Sequence, residues 1–204
     1  RRAILEAALR IIVREGIRSV RHRAVAKEAD VPLSATTYYF KDISDLIADA
    51  FTLFVEQAME EVIGPFRDQV FAMLEGLDPS SFSDPVAKEN LVNTVADMTV
   101  AFIAGEVEHK RDHLVAEQAF MHEAVLDPRL RELAQVYNDQ QIEVLTLACE
   151  KMGTADPKHD AEMMIAMFYR IEYQMLIAQG EKDREEIRDR LRHGMSLLVG
   201  AGQE

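Results

Sequence analysis

Apolar residues recur every three or four positions along most of the chain, which is the pattern of amphipathic helices. The first stripe runs from Arg2 to Glu15 and ends before Gly16, a typical helix stop. Two short helices are predicted next, at about His22 to Ala29 and Leu33 to Tyr39. Pro32 separates them, because proline lacks the amide donor that a continuing helix needs. The pattern therefore predicts three helices in the N-terminal segment.

Longer stripes begin at Ser44 and predict a helical body. A helix is predicted from Ser44 to about Leu77, with a kink or break at Gly64-Pro65, and a polar loop from Asp78 to Asp84 follows it. We find no alternating strand pattern and no internal repeat. The fold class predicted is all-α, with about nine helices in total. The remaining five are expected at Pro85 to Ala104, Glu106 to Val125, Pro128 to Met152, Pro157 to Gln179 and Asp183 to Val199.

Three of these helix starts carry the same dipeptide signal. Pro85, Pro128 and Pro157 each follow an aspartate, and proline suits the first helical position while aspartate suits the N-cap. Turn signals at Gly105 and Gly180 separate other helices. The chain thus divides into a predicted helix-turn-helix domain, residues 1–45, and a larger helical bundle, residues 46–204.

Composition restricts the class of protein. The chain has 204 residues, 48% of them hydrophobic, and a single cysteine, Cys149. It is long enough to bury a core, its apolar runs are too short to span a bilayer, and one cysteine cannot form an internal disulfide. We therefore expect a globular cytoplasmic protein in a reducing compartment.

Charge is distributed unevenly along the chain. Residues 1–41 contain nine Lys/Arg and four Asp/Glu, a net charge of +5, whereas residues 42–204 contain fourteen and thirty-two, a net charge of −18. A basic N-terminal segment can approach a polyanion while the acidic body is repelled by it. This asymmetry favours nucleic-acid binding by the N-terminal domain.

Two short helices joined by a tight turn can place the second helix in the major groove of DNA. Leu33 to Thr37 carry small, hydroxyl or apolar side chains that suit base edges, and Tyr38, Tyr39 and Lys41 suit the flanking phosphates. Arg21 to Arg23 open the preceding helix and are expected to position it on the backbone. Periodicity alone leaves another interpretation open, in which these are packed core helices with an incidental basic surface.

The stretch from Val25 to Lys41, VAKEADVPLSATTYYFK, followed by Leu46, closely resembles the DNA-binding domain of the TetR family. The resemblance covers about residues 3–50. It implies phosphate contacts from Tyr39 and Lys41 and a backbone clamp at Arg21 to Arg23. With the base or backbone contacts that it also implies, the predicted DNA-binding residues are Arg21, His22, Arg23, Leu33, Ser34, Ala35, Thr36, Thr37, Tyr38, Tyr39 and Lys41.

Three positions depart from the family pattern. Asp30 stands where the turn usually has glycine, Ala35 replaces a usual threonine or serine, and Ile43 replaces a frequent lysine. Aspartate tolerates a left-handed backbone better than most residues, so the turn is expected to survive. The other two changes remove contacts to the DNA backbone that the family pattern implies.

The last two helices are the best dimerisation candidates, because the penultimate one is apolar on more than one side and needs cover from outside its own domain. A two-fold dimer also suits a protein that reads two half-sites of an operator. Packing inside a larger monomeric bundle is the alternative. The predicted interface residues are Met163, Met164, Ile171, Met175, Ile187, Leu191, Met195 and Leu198.

A ligand pocket in the body is a further expectation. Methionine and aromatic side chains spread over several helices suit an adaptable apolar pocket, although the same residues also fill ordinary cores. Arg170, with Glu172 nearby, either orients a polar ligand group or forms a structural pair. The pocket residues predicted are Phe66, Met98, Phe102, Phe120, Met121, Tyr137, Met167, Phe168 and Arg170.

The resemblance implies a function for these parts. A small-molecule effector, expected to be apolar, binds the body, moves the long helix that begins at Ser44, and changes the separation of two DNA-reading helices. The chain is therefore expected to be a homodimeric repressor that a ligand releases from a palindromic, inverted-repeat operator.

Two other classes of protein remain as alternatives. His109, His113 and Glu117, with Glu106 and His122 nearby, have the helical spacing of a metal-responsive sensor, although the charged residues around them are typical of a solvated surface. A non-catalytic helical protein that binds another protein is the second alternative. No catalytic or cofactor-binding motif occurs, so we expect neither enzymatic activity nor a cofactor.

Overall fold

The computed structural model describes residues 1–77, 84–177 and 184–200, and the regular structure in these ranges is entirely helical. Short 3-10 and π-helical turns lie at Ile17–Ser19 and Met59–Ile63. The α-helices are α1 Arg2–Glu15, α2 His22–Glu28, α3 Leu33–Tyr39, α4 Ile43–Ala58, α5 Gly64–Glu75, α6 Pro85–His109, α7 Arg111–Ala124, α8 Pro128–Met152, α9 Pro157–Ile177 and α10 Arg184–Gly200.

The π turn joins α4 to α5 without interruption, so the described residues form nine helical rods. The predicted all-α fold, with a three-helix N-terminal domain followed by a helical body, is confirmed. Among the described residues, no helix combines the length and the apolar character that crossing a bilayer requires. The predicted domain boundary at residues 45 and 46 stays a prediction.

Aspartate caps begin three of the long helices, as the Asp-Pro pairs predict. The carboxylates of Asp84, Asp127 and Asp156 accept hydrogen bonds from main-chain N–H groups of α6, α8 and α9, at 2.7, 2.8 and 3.5 Å. These bonds satisfy amide groups that have no partner within the first helical turn. The three starts are therefore specified locally.

The predicted helix boundary at Gly105 is wrong, because α6 continues through this glycine to His109 and ends at Lys110. Glycine inside a helix costs about 1 kcal/mol, which the burial of neighbouring Ile103 and Ala104 offsets. One consequence concerns the metal-sensor alternative. His109 lies at the end of α6, whereas His113 lies in α7, so the two do not share one helix.

Gly64-Pro65 does not break the long helix. The π turn Met59–Ile63 ends just before this pair, and α5 continues from it. Proline lacks the N–H that a regular helix directs to the carbonyl four residues earlier, and a π turn changes the hydrogen-bond register locally. The predicted irregularity is therefore present as a change of helix type. The predicted loop Asp78 to Asp84, apart from its last residue, and the turn at Gly180 lie outside the described residues, as does Asp183.

Contacts divide the chain into two compact units. Unit 1 comprises Arg1–Val62 and Asp112–Asn138, and unit 2 comprises Ile63–Arg111 and Asp139–Glu204. In unit 1, α1 packs against α2 and α4, and α2 packs against α3. In unit 2, α6 packs against α5, α9 and α10, and α9 packs against α10.

An aromatic cluster holds unit 1 together. The rings of Phe51 and Phe120 stack with centroids 4.5 Å apart, and Phe54 meets Tyr137 edge-on at 5.9 Å. The His113 ring also stacks on Phe54 at 4.6 Å. These contacts join α4 to α7 and to the beginning of α8, so these three elements form one packed assembly within unit 1.

Candidate nucleic-acid interface and ligand site

The turn between α2 and α3 depends on an unusual backbone conformation at Asp30. Its φ is 53°, and it is the only non-glycine residue with positive φ among the described residues. Aspartate adopts this left-handed region more readily than most residues, because its short polar side chain can bond locally. Val31 donates its N–H to the carbonyl of Ala26 at 3.0 Å, and Pro32 follows with a φ of −59°. Aspartate therefore supports the turn where the family pattern has glycine.

One side of α3 is anchored in the domain. Thr36 is fully buried, and its hydroxyl donates a hydrogen bond to the carbonyl of Leu33 at 2.8 Å. Phe40, which follows the helix, is also buried, and the guanidinium of Arg1 lies 5.6 Å from the centre of its ring. These contacts fix which side of the helix faces outward.

The other side of α3 is open to solvent. Leu33, Ser34, Thr37, Tyr38 and Tyr39 are all exposed, and the Tyr38 side chain is 80% exposed. An α-helix with its side chains is about 10–12 Å in diameter, which fits the major groove, about 12 Å wide. An exposed apolar side chain, two hydroxyl groups and two phenols on one short helix can contact thymine methyl groups, base edges and phosphates.

Five of the eleven predicted DNA-binding residues lie on this side of α3, but Thr36 does not. Because Thr36 faces inward, the predicted base or backbone contact from this residue is not available, and its hydroxyl serves the helix instead. His22 and Ala35 are half-buried. The exposed members of the predicted set are Arg21, Arg23, Leu33, Ser34, Thr37, Tyr38, Tyr39 and Lys41.

Some basic residues of the N-terminal domain are engaged inside it. Arg10 and Arg14 of α1 pair with Glu28 of α2 at 2.8 and 3.0 Å. Hydrogen bonds from Arg10, which has the larger effect, and from Arg14 hold the pKa of Glu28 below its ordinary value. Arg2 also pairs with Glu6, and Arg1 pairs with Asp49 of α4. These four arginines stabilise the domain and have part of their charge neutralised.

Five basic residues of this domain are exposed and, among the described residues, form no ion pair. Arg21 and Arg23 belong to the predicted clamp, and Lys41 follows α3. Arg18 and Lys27 are not among the predicted DNA-binding residues, although Lys27 lies one helical turn after Arg23 and is detectable from that spacing. The cations available to phosphate are therefore Arg18, Arg21, Arg23, Lys27 and Lys41.

The predicted pocket residues are distributed over both units. In unit 2, Phe66 of α5 and Phe102 of α6 stack with ring centroids 4.1 Å apart. Phe120 and Tyr137 belong to the aromatic cluster of unit 1, and Met121 there is half-buried. Arg170 is exposed on α9. Half-buried side chains that pack against the hydrophobic core of unit 2 are Phe66, Met98, Phe102, Met167 and Phe168.

A buried acid, absent from the predicted pocket residues, lies beside some of them. Glu106 of α6 is only 6% exposed, and burial raises the pKa of its carboxyl to about 7, while Lys110 opposes that rise. Glu106 stands one helical turn after Phe102, on the same face of α6. Nothing in the sequence indicates that an acid one helical turn after an aromatic residue is buried, so the burial of Glu106 could not be predicted and is seen only in the structure.

Most of the predicted dimer residues are already covered by their own chain. Met164, Ile171, Ile187, Leu191 and Met195 lie in the hydrophobic core of unit 2, and Met175 and Leu198 pack against that core. A side chain buried within its own chain has no surface to offer a partner, so the five core residues do not form an interface in this conformation, whereas the half-buried Met175 and Leu198 keep part of their surface and stay predictions. Met163, by contrast, is 64% exposed.

The described residues include no group of three or more His, Cys, Asp or Glu side chains arranged to hold a metal ion. His113 stacks on Phe54, and Glu117 is buried in unit 1. The histidine and glutamate residues that are regularly spaced in the sequence therefore lie on two different helices and differ in their exposure to solvent.

Two family models match the chain. Residues 4–50 match the model described as bacterial regulatory proteins, tetR family, and residues 91–196 match the model described as tetracyclin repressor-like, C-terminal domain. Together these matches include the N-terminal domain and most of the body. Among curated protein sequences, none matches the chain significantly.

Solved structures share the fold over nearly the whole length. A member of the TetR family from Streptomyces coelicolor A3 is 26% identical, with a TM-score of 0.65, over 95% of this chain and 96% of that one. The multidrug binding protein EbrR in complex with proflavin is 29% identical, with a TM-score of 0.60, over 95% and 98% of the two chains. A transcriptional regulator from Rhodococcus sp. Rha1 is 17% identical, with a TM-score of 0.69, over 100% and 98%.

Replacing Glu106 tests whether its carboxyl is buried as described. Because its pKa is raised from 4.5 to about 7, the stability that the neutral acid contributes is present below pH 4.5 and is lost as the pH rises through about 7. We expect urea unfolding to show that Glu106→Gln gains stability over the unchanged protein as the pH rises from about 5 to about 8.5, by up to about 3 kcal/mol.

The matched control is Glu89→Gln, which removes the same charge from an exposed position of α6. Its free energy of unfolding is expected to follow that of the unchanged protein at both pH values. A Glu106→Gln difference that does not vary with pH would show that this carboxyl titrates as a solvated group.

Proposed function

Because the chain belongs to the TetR family of bacterial regulatory proteins, we propose that it is a repressor that a small organic molecule releases from an inverted-repeat operator. It is a DNA-binding transcriptional regulator, and the repression and the release are our proposal. The observation that carries it is the exposed face of α3, held by Thr36 and Phe40 on its inner side. Around it lie five cations that form no ion pair within the described residues.

The DNA-binding roles follow from exposure and chemistry. Leu33, Ser34 and Thr37 contact base edges, since they are the exposed residues of the first turns of α3. Tyr38 and Tyr39 contact phosphates at the flank. The exposed basic residues hold the DNA backbone on either side, and these are Arg18, Arg21, Arg23, Lys27 and Lys41.

An effector site in the body is supported by the half-buried aromatic and methionine side chains of unit 2, because such side chains form adaptable apolar pockets. The similarity to EbrR, described as a multidrug binding protein and solved with proflavin, ethidium and malachite green, also favours a small organic ligand. The two lines of support are independent.

The packing of unit 1 offers a way to transmit ligand binding. The aromatic cluster joins α4 to α7 and to the start of α8, and Arg129 of α8 pairs with Asp45 of α4 at 3.1 Å. A shift of α7 or α8 is therefore carried to α4, against which α1 of the DNA-binding domain packs. The effector favours release only if it binds more tightly to the conformation that fits the operator poorly.

We further propose a dimer through the exposed face of α9. Met163, Ala166, Arg170, Tyr173 and Ile177 are all exposed and follow one another at alternating intervals of three and four residues. This spacing places them on one stripe, the pattern by which two helices pack together. Of the interface residues predicted from the sequence, this stripe retains Met163.

Selection of bound duplexes from a random pool tests the proposed function. We expect an enriched inverted repeat whose half-sites lie about 34 to 36 Å apart, one turn of B-form DNA, because a two-fold dimer presents two copies of α3. Recovery of unrelated duplexes, or of a single half-site without its repeat, would contradict the proposal.

Removing one exposed cation tests the phosphate contacts. We expect Arg23→Ala to weaken binding to the selected duplex and to unrelated duplexes alike, by about fivefold, because a phosphate contact carries no sequence information. Fluorescence anisotropy measures both affinities.

The control for this variant is Arg2→Ala, which removes the same charge from an arginine paired with Glu6. Its effect on duplex binding is expected to be less than about twofold, since that charge is already partly neutralised. Equal losses for the two variants would mean that overall charge, rather than the clamp, decides affinity.

A charge placed in the α9 stripe tests the dimer. Ile177 is 60% exposed, and we expect Ile177→Asp to weaken dimerisation at least about thirtyfold, as measured by analytical ultracentrifugation, because a carboxylate would be desolvated in the interface. Val86→Asp, which introduces the same charge at an exposed valine of α6, is the control and is expected to leave the assembly unchanged. Normal assembly of Ile177→Asp would place the interface elsewhere.

A further inference from the structure

Glu106 is an acid buried inside unit 2. Its side chain is more than nine-tenths buried, and among the described residues its carboxylate forms no ion pair. Removing a carboxylate from water is strongly unfavourable unless a cation or several hydrogen-bond donors replace the water. Such an arrangement lowers the stability of the protein alone and favours the binding of something that supplies positive charge.

Aromatic rings lie beside this acid. Phe102 precedes Glu106 by one helical turn on the same face of α6, and Met98 precedes Phe102 by another turn. Phe66 of α5 stacks on Phe102, with the ring planes inclined by 19°. The faces of aromatic rings carry negative electrostatic potential, so they attract cations as a carboxylate does. Ring and acid thus favour the same kind of ligand.

A second helix of unit 2 has the same arrangement of side chains. On α9, half-buried Phe168 is followed one turn later by Glu172, which is 9% exposed. Arg111 donates a hydrogen bond to the carbonyl of Leu176 at 3.2 Å, so the C-terminal end of α9 lies beside the residue that begins α7, just after α6. Each of these acids thus follows an aromatic residue by one helical turn, and the basic residue Arg111 lies at the same end of α9.

We propose that the effector is an organic cation with an apolar or aromatic body, and that Glu106, Phe66 and Phe102 bind its charged group. This inference rests on the proposed function, because it requires an effector site in the body. Lys110 offsets only part of the cost of burying this carboxylate, since the pKa of Glu106 stays raised to about 7. A cationic ligand would compensate the ionised form further, a neutral apolar ligand would not, and an anion would be repelled by it. The net charge of −18 on residues 42–204 also attracts cations from solution.

Size-matched ions of opposite charge test this proposal. Isothermal titration of the intact protein with tetraphenylphosphonium is expected to show saturable binding at about pH 8, and tetraphenylborate, an anion of the same shape, is expected not to bind. Glu106→Gln is expected to weaken tetraphenylphosphonium binding at least about tenfold. Glu89→Gln, at the exposed position on the same helix, is expected to change it by less than about twofold.

The pH dependence of binding identifies the acid. Only the ionised carboxylate attracts a cation, so the affinity for tetraphenylphosphonium is expected to rise about tenfold from about pH 6 to about pH 8. The rise is expected to disappear in Glu106→Gln, which assigns it to Glu106. Glu106→Gln leaves unchanged the other ionisable residues on α6, in the segment just after α6 and on the helices packed against α6. These include Arg67, His109, Lys110, Arg111, Glu172 and His193.

The outcomes separate this inference from the proposed function. Binding of both ions, or cation binding that Glu106→Gln leaves unchanged, overturns the cation site. Absence of cation binding while the protein still selects an inverted repeat overturns the site and leaves the DNA-binding function intact. Cation binding that depends on Glu106 supports the site even if the same cation does not release the duplex. Failure to release the duplex would contradict only the proposed ligand-induced release. Circular dichroism of each variant checks that it is folded.

Discussion

The backbone turn at Asp30 and Pro32 is the constraint on which the DNA-binding surface depends. It ends α2 and begins α3 within a few residues, and it places a residue other than glycine in the left-handed region. Burial of Thr36 and Phe40 then fixes the rotation of α3 about its own axis. This rotation determines which residues of α3 face outward, because a helix held on one side presents the remaining side chains to solvent. The turn and these two anchors together create a surface that fits a groove.

The basic residues of the N-terminal domain form two groups, which differ in whether their side chains form ion pairs. Arginines on α1 pair with Glu28 and Glu6 and stabilise the domain, whereas five other cations remain outside any ion pair within the described ranges. The net charge of +5 in the sequence does not distinguish these groups. The structure does, and most of the second group lie on or beside α2 and α3 rather than on the face of α1 that carries the pairs. Charge on the acidic body opposes any other orientation on a polyanion.

Local signals in the sequence predict most helix bounds, because their causes are local. The caps at Asp84, Asp127 and Asp156 involve only residues close in sequence, and α8 begins and ends where its pattern indicates. The glycine signal at Gly105 is misleading, since the preference of glycine for a helix end is overridden when its neighbours are buried in the core.

Properties that depend on tertiary packing could not be predicted in the same way. Both Thr36 and Thr37 suit DNA contacts by residue type, and only packing shows that one faces inward. The stripe of Ile187, Leu191 and Met195 is equally consistent with a dimer interface and with an internal core. Glu106 follows Phe102 at helical spacing as many solvated acids do, and its burial arises from the packing of other helices around α6.

The salt dependence of duplex binding tests the central claim most directly, because it counts the phosphates that the protein neutralises. The logarithm of the affinity is expected to fall linearly with the logarithm of salt concentration, with a slope of about −4 or steeper for two DNA-binding domains. A slope near zero would mean that the exposed face of α3 and its surrounding cations do not contact the DNA backbone, and it would contradict the role of this surface in DNA binding.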